Sequence, residues 1–402
     1  MTDNPSITVL VMVEAGSKYE NKETNGLSHF LEHMLFKGTP RRPKAIDISR
    51  ELDSIGANYN AFTAQEFTGY YAKADTRHFD KILDVVSDLY LNPLFDENEI
   101  KKEKGVIIEE IRMYQDLPQQ HVQDLIMGLI YGDQPAGWNV AGTEDNVRSF
   151  TRDQLINYRS AHYVSKATAV IVAGSFEEKE ALVKIGQVFS LQHNGGKSPK
   201  MAVMEKQESP MVKIENKETD QSHIVIGVRT FSVFDKRIPA MQVLTTILGH
   251  GMSSRLFAKM RDELGICYYI KADHNPFTDS GIFTVSAGLD NSRIEEGIRN
   301  ILLECRKLKN ELVSEDELKK VKDYISGTTM LELETSEARA EFCGFQEIVK
   351  NKVESPTEII SKINAVTAED VKKLANEIFV NKNLNLAMVG RSKDKILDIL
   401  KF

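Results

Sequence analysis

Three cysteines in 402 residues, Cys267, Cys305 and Cys343, are too few and too scattered to staple a fold. They are odd in number and form no Cys-x-x-Cys pair, so neither a disulfide framework nor a thiolate zinc site is indicated. A reducing compartment is the simpler setting. No stretch approaches ~18 consecutive apolar residues, which excludes an apolar membrane-spanning helix. An excess of basic charge is missing too. With 51 Lys and Arg against 59 Asp and Glu, the formal net charge is −8. That argues against a nucleic-acid binder, because phosphate recognition needs clustered Lys and Arg. The short basic run Arg41-Arg42-Pro43-Lys44 reads as a solvated turn. Met1 to Pro5 carry no basic n-region of a signal peptide, and the apolar run 7–13 is short, β-branched and strand-like. The expectation is a cytoplasmic protein.

What is present is an ordinary globular composition, 41% apolar and 27% charged, in a length that suits two or three domains. An internal repeat narrows this. Residues 96–104 line up with 314–322. Thr151-Arg152-Asp153-Gln154-Leu155 and the following apolar run 169–174 are echoed by Thr367-Ala368-Glu369-Asp370-Val371 and 384–390. Phe79, Ile82, Leu83, Val86 and Leu89 have helical periodicity, as do Ile294, Ile298, Ile301 and Leu302. Each half runs strand, helix, strands, amphipathic helix, charged helix, capped helix, strand. The period is too long for a solenoid, so the chain reads as a duplicated α+β fold. Residues 1–191 form one half, a Gly-, Pro- and Lys-containing linker spans 192–209, and 210–402 form the other. Glu103 and Glu110 align with Val321 and Thr328, so the first half carries carboxylates that the second lacks.

Chemistry concentrates in Ser28-His29-Phe30-Leu31-Glu32-His33-Met34-Leu35. His29 and His33, at i and i+4, lie on one helix face, a spacing that lets two neutral imidazoles converge on one tetrahedral zinc. Glu32 lies within reach of a water on that metal, as its general base. The ordinary alternative is a pair of core histidines beside a half-buried Glu, yet burying three ionisable groups within five residues is costly. A catalytic zinc needs a third protein ligand. In the charged helix of residues 97–116, Glu103 and Glu110 share a face two turns apart, about 10 Å between Cα atoms. One can ligate while the other stands behind a ligand; a plain solvated charge stripe is the alternative. Gly105 weakens this helix but permits close approach of another element.

His29-x-x-Glu32-His33 followed by Glu110 resembles the pitrilysin/insulinase group of zinc peptidases, the inverted counterpart of His-Glu-x-x-His. It is similar in particular to the short-chain bacterial branch related to mitochondrial processing peptidase. The likeness runs nearly the whole chain, including Asn60-Ala61-Phe62-Thr63, Met113-Tyr114-Gln115-Asp116 and the Tyr163 region. It implies a duplicated α/β roll, each domain a mainly antiparallel sheet packed with helices. It implies His29, His33 and Glu110 as ligands of one Zn2+ per chain, Glu32 as the base, and Glu103 as a residue orienting a ligand. Glu109 misses the family spacing. In the other half, a helix is expected to stop at Gly265 and a strand to begin, with Arg261 and Tyr268 flanking the turn. The resemblance makes them oxyanion-stabilising groups, where the residues alone suggest a surface Arg and a strand Tyr. Cys267 reads as a packed strand residue.

Asn60, Ala61 and Phe62 would lie in an edge strand that pairs with an extended peptide substrate; an ordinary hairpin strand has the same residues. Family enzymes of this length close their chamber with a second subunit, so the expectation is a homodimer with Arg261 and Tyr268 supplied across the interface. The activity implied is endopeptidase cleavage of unfolded or extended peptides, without nucleic-acid or membrane partners. The alternative is a non-catalytic accessory subunit of a processing-peptidase-like heteromer, which usually loses part of the motif kept here. One departure stands out. The family pattern begins with a strand before 7–13, and none is read here, which puts the completeness of the first sheet in question.

Overall fold

The computed structural model describes residues 4–190, 194–391 and 396–402; the first three residues of the Met1–Pro5 segment and linker residues 192 and 193 lie outside the described residues. The chain divides into two compact units. The first comprises Met1–Arg112, Trp138–Met201 and Leu331–Val353, and the second Met113–Gly137, Ala202–Met330 and Glu354–Phe402. These units are not the contiguous halves expected from the repeat. Each takes in a segment from the other half of the chain.

In the first unit the elements are β1 (Ser6–Val13), α1 (Leu27–Leu35), α2 (Ala45–Asp53), β2 (Asn58–Thr63), β3 (Thr68–Asp75), α3 (Phe79–Leu91), α4 (Glu97–Asp116, into the unit boundary) and β4 (Thr168–Ala173). The sheet order is β2-β3-β1-β4 and every pairing is antiparallel. β1 shows why its sequence is an unbroken apolar run. Ile7, Val9, Val11 and Val13 face the core beneath α1 and α3. Leu10 and Met12 face a second, smaller core built with Ala340, Phe345 and Ile348. A strand covered on both faces has no polar side to alternate with. The second cover is the helix Ser336–Lys350, which approaches so closely that a Cβ on Gly344 would lie 2.6 Å from Met12 Sδ.

The second unit holds β5 (Met211–Asn216), β6 (Gln221–Thr230), β7 (Cys267–Pro276), β8 (Gly281–Asp290) and β9 (Asn385–Gly390), in the order β5-β9-β6-β8-β7. Helices Ile238–Gly249, Ile294–Asn310 and Ala368–Ile378 contribute to the core on one face. The other face is covered by α5 (Pro118–Tyr131), whose Val122, Ile126 and Ile130 pack with Val225, Ala387 and Val389. β5 runs parallel to β9, the one parallel pair among the described residues. Among the described residues β5 has no counterpart in the first unit. β4 is half-buried throughout, whereas its repeat equivalent β9 is buried along its whole length.

The basic run departs from expectation. Thr39 and Arg42 close a turn through their backbones, but Arg42 is only 3% exposed. Its guanidinium is bound by Glu51, Asp84 and Asp88, so the sequence reading of a solvated turn holds for Arg41 and not for Arg42. A planar fork of five donors can satisfy three carboxylates at once, and this compensates for the burial. No helix among the described residues is long and apolar enough to cross a membrane.

Candidate metal centre

α1 is amphipathic in the usual way: Leu27, Phe30, Leu31, Met34 and Leu35 are buried in the core of the first unit. That spacing leaves His29, Glu32 and His33 on the remaining face. α4 is positioned by Ile100, Ile107, Ile108 and Ile111 in the same core, which turns Glu103 and Glu110 toward the histidines. Glu110 Oε2 lies 3.7 Å from His29 Nε2 and 3.4 Å from His33 Nε2. Donors about 2.0–2.1 Å from a tetrahedral ion are about 3.3–3.4 Å apart, so the Glu110–His33 separation matches such a site and the Glu110–His29 separation is about 0.3 Å wider. The three ligand atoms lie within 4.8 Å of one another, the one such group among the described residues.

Glu103 and Glu110 of α4 address opposite nitrogens of one imidazole, that of His33. Glu103 Oε1 is 2.8 Å from His33 Nδ1, while its Oε2 is 2.6 Å from Lys37 Nζ. Glu103 thus lies on the Nδ1 side of His33, and Glu110 beside the Nε2 atoms of His29 and His33. Glu109 points away, largely exposed and paired with Arg112. Gly105 provides no close approach: a Cβ there would meet nothing within 4 Å, because it lies on the exposed side of α4. Lys37 and Thr63, the hydrogen-bonding neighbour of Glu32, were not anticipated. Lys37 sits four residues after His33, in the turn that follows α1, and no helical pattern in the sequence marked it.

The electrostatics suit a cation. Burial and neighbouring His33 push the His29 imidazole down to about 4, leaving it neutral. His33 moves the other way. Burial opposes its charge, but Glu103 and Glu110 outweigh burial and push it up to about 9. Burial raises the Glu103 carboxyl, yet His33 and Lys37 hold it below the usual range; His33 likewise lowers Glu110. Two ionised carboxylates clamp one imidazole and draw a proton onto it, the field a divalent ion would meet. Glu32 differs. Burial raises its carboxyl, and Oε2 has no hydrogen-bond partner among the described residues, the character expected of a base that must exchange protons.

Among the described residues β2 is an edge strand, bonded to β3 alone. Asn60 is exposed and Ala61 buried, while Phe62 packs on Phe67 and Phe345. The backbone edge is therefore what remains open, not the Phe62 ring. In the second unit a π-helical turn, Ala258–Glu263, ends at Gly265, whose φ of +59° suits glycine. The register slips between Cys267 and Tyr269, so Tyr268 occupies a bulge on edge strand β7 and stands 72% exposed. Arg261 lies 5.5 Å from its ring. The structure thus brings Arg261 and Tyr268 together in the second unit, and the metal-type cluster together in the first. Cys267 is buried, its thiol pushed up to about 11 by that burial.

Residues 2–144 match the family described as Insulinase (Peptidase family M16), and residues 149–325 match the one described as Peptidase M16 inactive domain. A Bacillus subtilis protein named an uncharacterized zinc protease, YmxG, is 35% identical over 396 residues, spanning 98% of this chain and 95% of that one. A Streptomyces coelicolor protein, also named an uncharacterized zinc protease, is 31% identical over 396 residues, 97% of this chain and 86% of that one. Among solved structures, a protease from Helicobacter pylori shares the fold, with a TM-score of 0.92 at 22% identity over 97% of this chain and 94% of that chain.

Proposed function

The chain belongs to the insulinase family of peptidases, M16, and from that premise we propose that it is a zinc-dependent endopeptidase of unfolded or extended peptides. The observation that carries this reading is the convergence of His29, His33 and Glu110 donor atoms beside the unpartnered oxygen of Glu32. His29 and His33 would hold the ion through Nε2 and Glu110 through its carboxylate. Zinc held there supplies a water of lowered pKa and a polarised scissile carbonyl. Glu32 takes the proton from the attacking water and passes it to the leaving amine. Glu103 accepts a hydrogen bond from His33 Nδ1 and so leaves Nε2 free to ligate. The open edge of β2 at Asn60, Ala61 and Phe62 pairs with the backbone of the substrate, which tolerates many side chains. Arg261 and Tyr268 donate to the developing oxyanion, and in this reading they come from the second subunit of a homodimer.

Replacing Glu32 by Gln tests the proposal. The variant retains zinc and loses about 10²–10⁴-fold in peptide cleavage, measured on a mixed peptide pool with and without chelator. Cleavage at the wild-type rate by zinc-loaded Glu32→Gln would overturn it. A wild-type chain without zinc, recovered only with a different partner chain, would favour the accessory-subunit reading instead.

A further inference from the structure

We infer that Glu20 is a positioning residue for the zinc centre, setting the start of α1 and through it the placement of His29; this rests on the zinc reading above. α1 begins after Gly26, which has φ +104°, and no N-cap side chain accepts from its first turn. Glu20 does so from six residues upstream. Its Oε1 accepts from Ser28 N at 2.7 Å, and its Oε2 accepts from Gly26 N at 2.8 Å and Asn25 Nδ2 at 3.1 Å. Glu20 is 4% exposed. Both oxygens accept from N–H groups at the positive end of a helix; burial raises the Glu20 carboxyl, and the hydrogen bonds from Ser28, Gly26 and Asn25 oppose that.

The rest of the helix start is held as tightly. A Cβ on Gly26 would lie 2.7 Å from Ala141 O, Asn25 Nδ2 also donates to Asn139 O at 3.0 Å, and the Ser28 hydroxyl lies 2.8 Å from Tyr158 Oη. The next residue is His29. Its imidazole is held differently from that of His33: His33 Nδ1 is tethered by Glu103, whereas His29 Nδ1 is buried with no hydrogen-bond partner among the described residues. Ring orientation at His33 is fixed by its tether. At His29 it is inherited from the backbone, one residue beyond the N–H that Glu20 holds, and from edge-on contact with His33. A helix turns about 100° and rises about 1.5 Å per residue, while a metal site tolerates only about 0.2 Å in its distances. A slip at the first turn of α1 therefore misplaces His29 before it misplaces His33.

The test is Glu20→Gln in the full chain, which keeps the volume but turns an amide N–H toward backbone N–H groups. The readouts are zinc affinity by chelator competition on folded protein, the visible spectrum of the cobalt(II)-substituted chain, and kcat and KM separately. The expected result is a folded protein whose zinc affinity falls about tenfold or more, with a weakened tetrahedral cobalt band and lower kcat at unchanged KM. A folded variant with wild-type zinc affinity and cobalt spectrum would reduce Glu20 to a structural cap and overturn the inference. Should Glu20→Gln not fold, Glu20→Asp keeps the charge but is too short to span both N–H groups, and the same readouts decide. A wild-type chain that takes up neither zinc nor cobalt overturns the zinc reading itself, a distinguishable failure.

Discussion

His33 is the residue on which the centre turns, because it is held from both sides by one helix. Glu103 and Glu110, seven residues apart on α4, reach its Nδ1 and Nε2 respectively. A neutral imidazole carries one proton, and a carboxylate at Nδ1 keeps it there, which frees the Nε2 lone pair. Glu103→Gln weakens that preference and also removes one charge from the pair with Lys37. Zinc affinity is expected to fall about 10–100-fold, read by chelator competition, with a thermal melt to show that the fold persists. Unchanged affinity would mean that Glu103 serves Lys37 alone. The spacing of the two glutamates was legible in the sequence, since helical periodicity puts both on one face. Which of them lies beside the Nε2 atoms of both histidines was not. That choice depends on how α4 lies against α1, and the sequence pattern says nothing of the distance between two helices.

At the scale of elements, the centre needs α1 and α4 to be held while other helices keep their places around the core. One device is Arg42, in the turn after α1, which joins Glu51 of α2 to Asp84 and Asp88 of α3. Removing one member of a buried ion cluster leaves the others uncompensated, so Arg42→Met is expected to lose about 3–5 kcal/mol in urea unfolding near neutral pH. The cluster also sets an acid dependence. Arg42 and Lys81 hold the Glu51 carboxyl below its ordinary value; burial raises Asp84, but Arg41 and Arg42 outweigh it and lower that group too. On acidification the unfolded chain takes up these protons first. The stabilisation is therefore full above about pH 4, near the unfolded values, and is lost as pH falls through the lower folded ones. Arg42→Met should show a flatter acid limb, and a variant with the wild-type acid profile would sink the assignment. The run Arg41-Arg42-Pro43-Lys44 looks like surface in the sequence because its acidic partners are scattered over later helices, and nothing local marks them.

At the scale of the whole molecule the duplication was readable and the exchange was not. Hydrophobic periodicity in α5 and in Ser336–Lys350 shows that each has an apolar face, but not which sheet that face covers. Each packs in the unit formed mainly by the other half of the chain. The placement of the candidate site residues follows the same duplication. The first unit carries His29, Glu32, His33 and Glu110; the second has Val321 and Thr328 where Glu103 and Glu110 align, and carries Arg261 with the exposed Tyr268 on its bulged edge strand. If Arg261 and Tyr268 act on the metal centre of a second copy, two defective chains can repair each other. A chain with Glu32→Gln retains the Arg/Tyr pair, and a chain with Arg261→Ala and Tyr268→Phe retains the ligands and the base. Each is inactive alone. Mixed in equal amounts and allowed to exchange, they form hybrid dimers in which one of the two sites has every part. About half of the dimers are hybrids at random assortment and each has one working site, so roughly a quarter of wild-type peptidase activity should return, an estimate that assumes defects as deep as those of general-base loss. Were the pair to serve the centre of its own chain, both sites of every hybrid would lack one component. The mixture would then stay as inactive as its parents, and the proposal of a site shared across the dimer would fall.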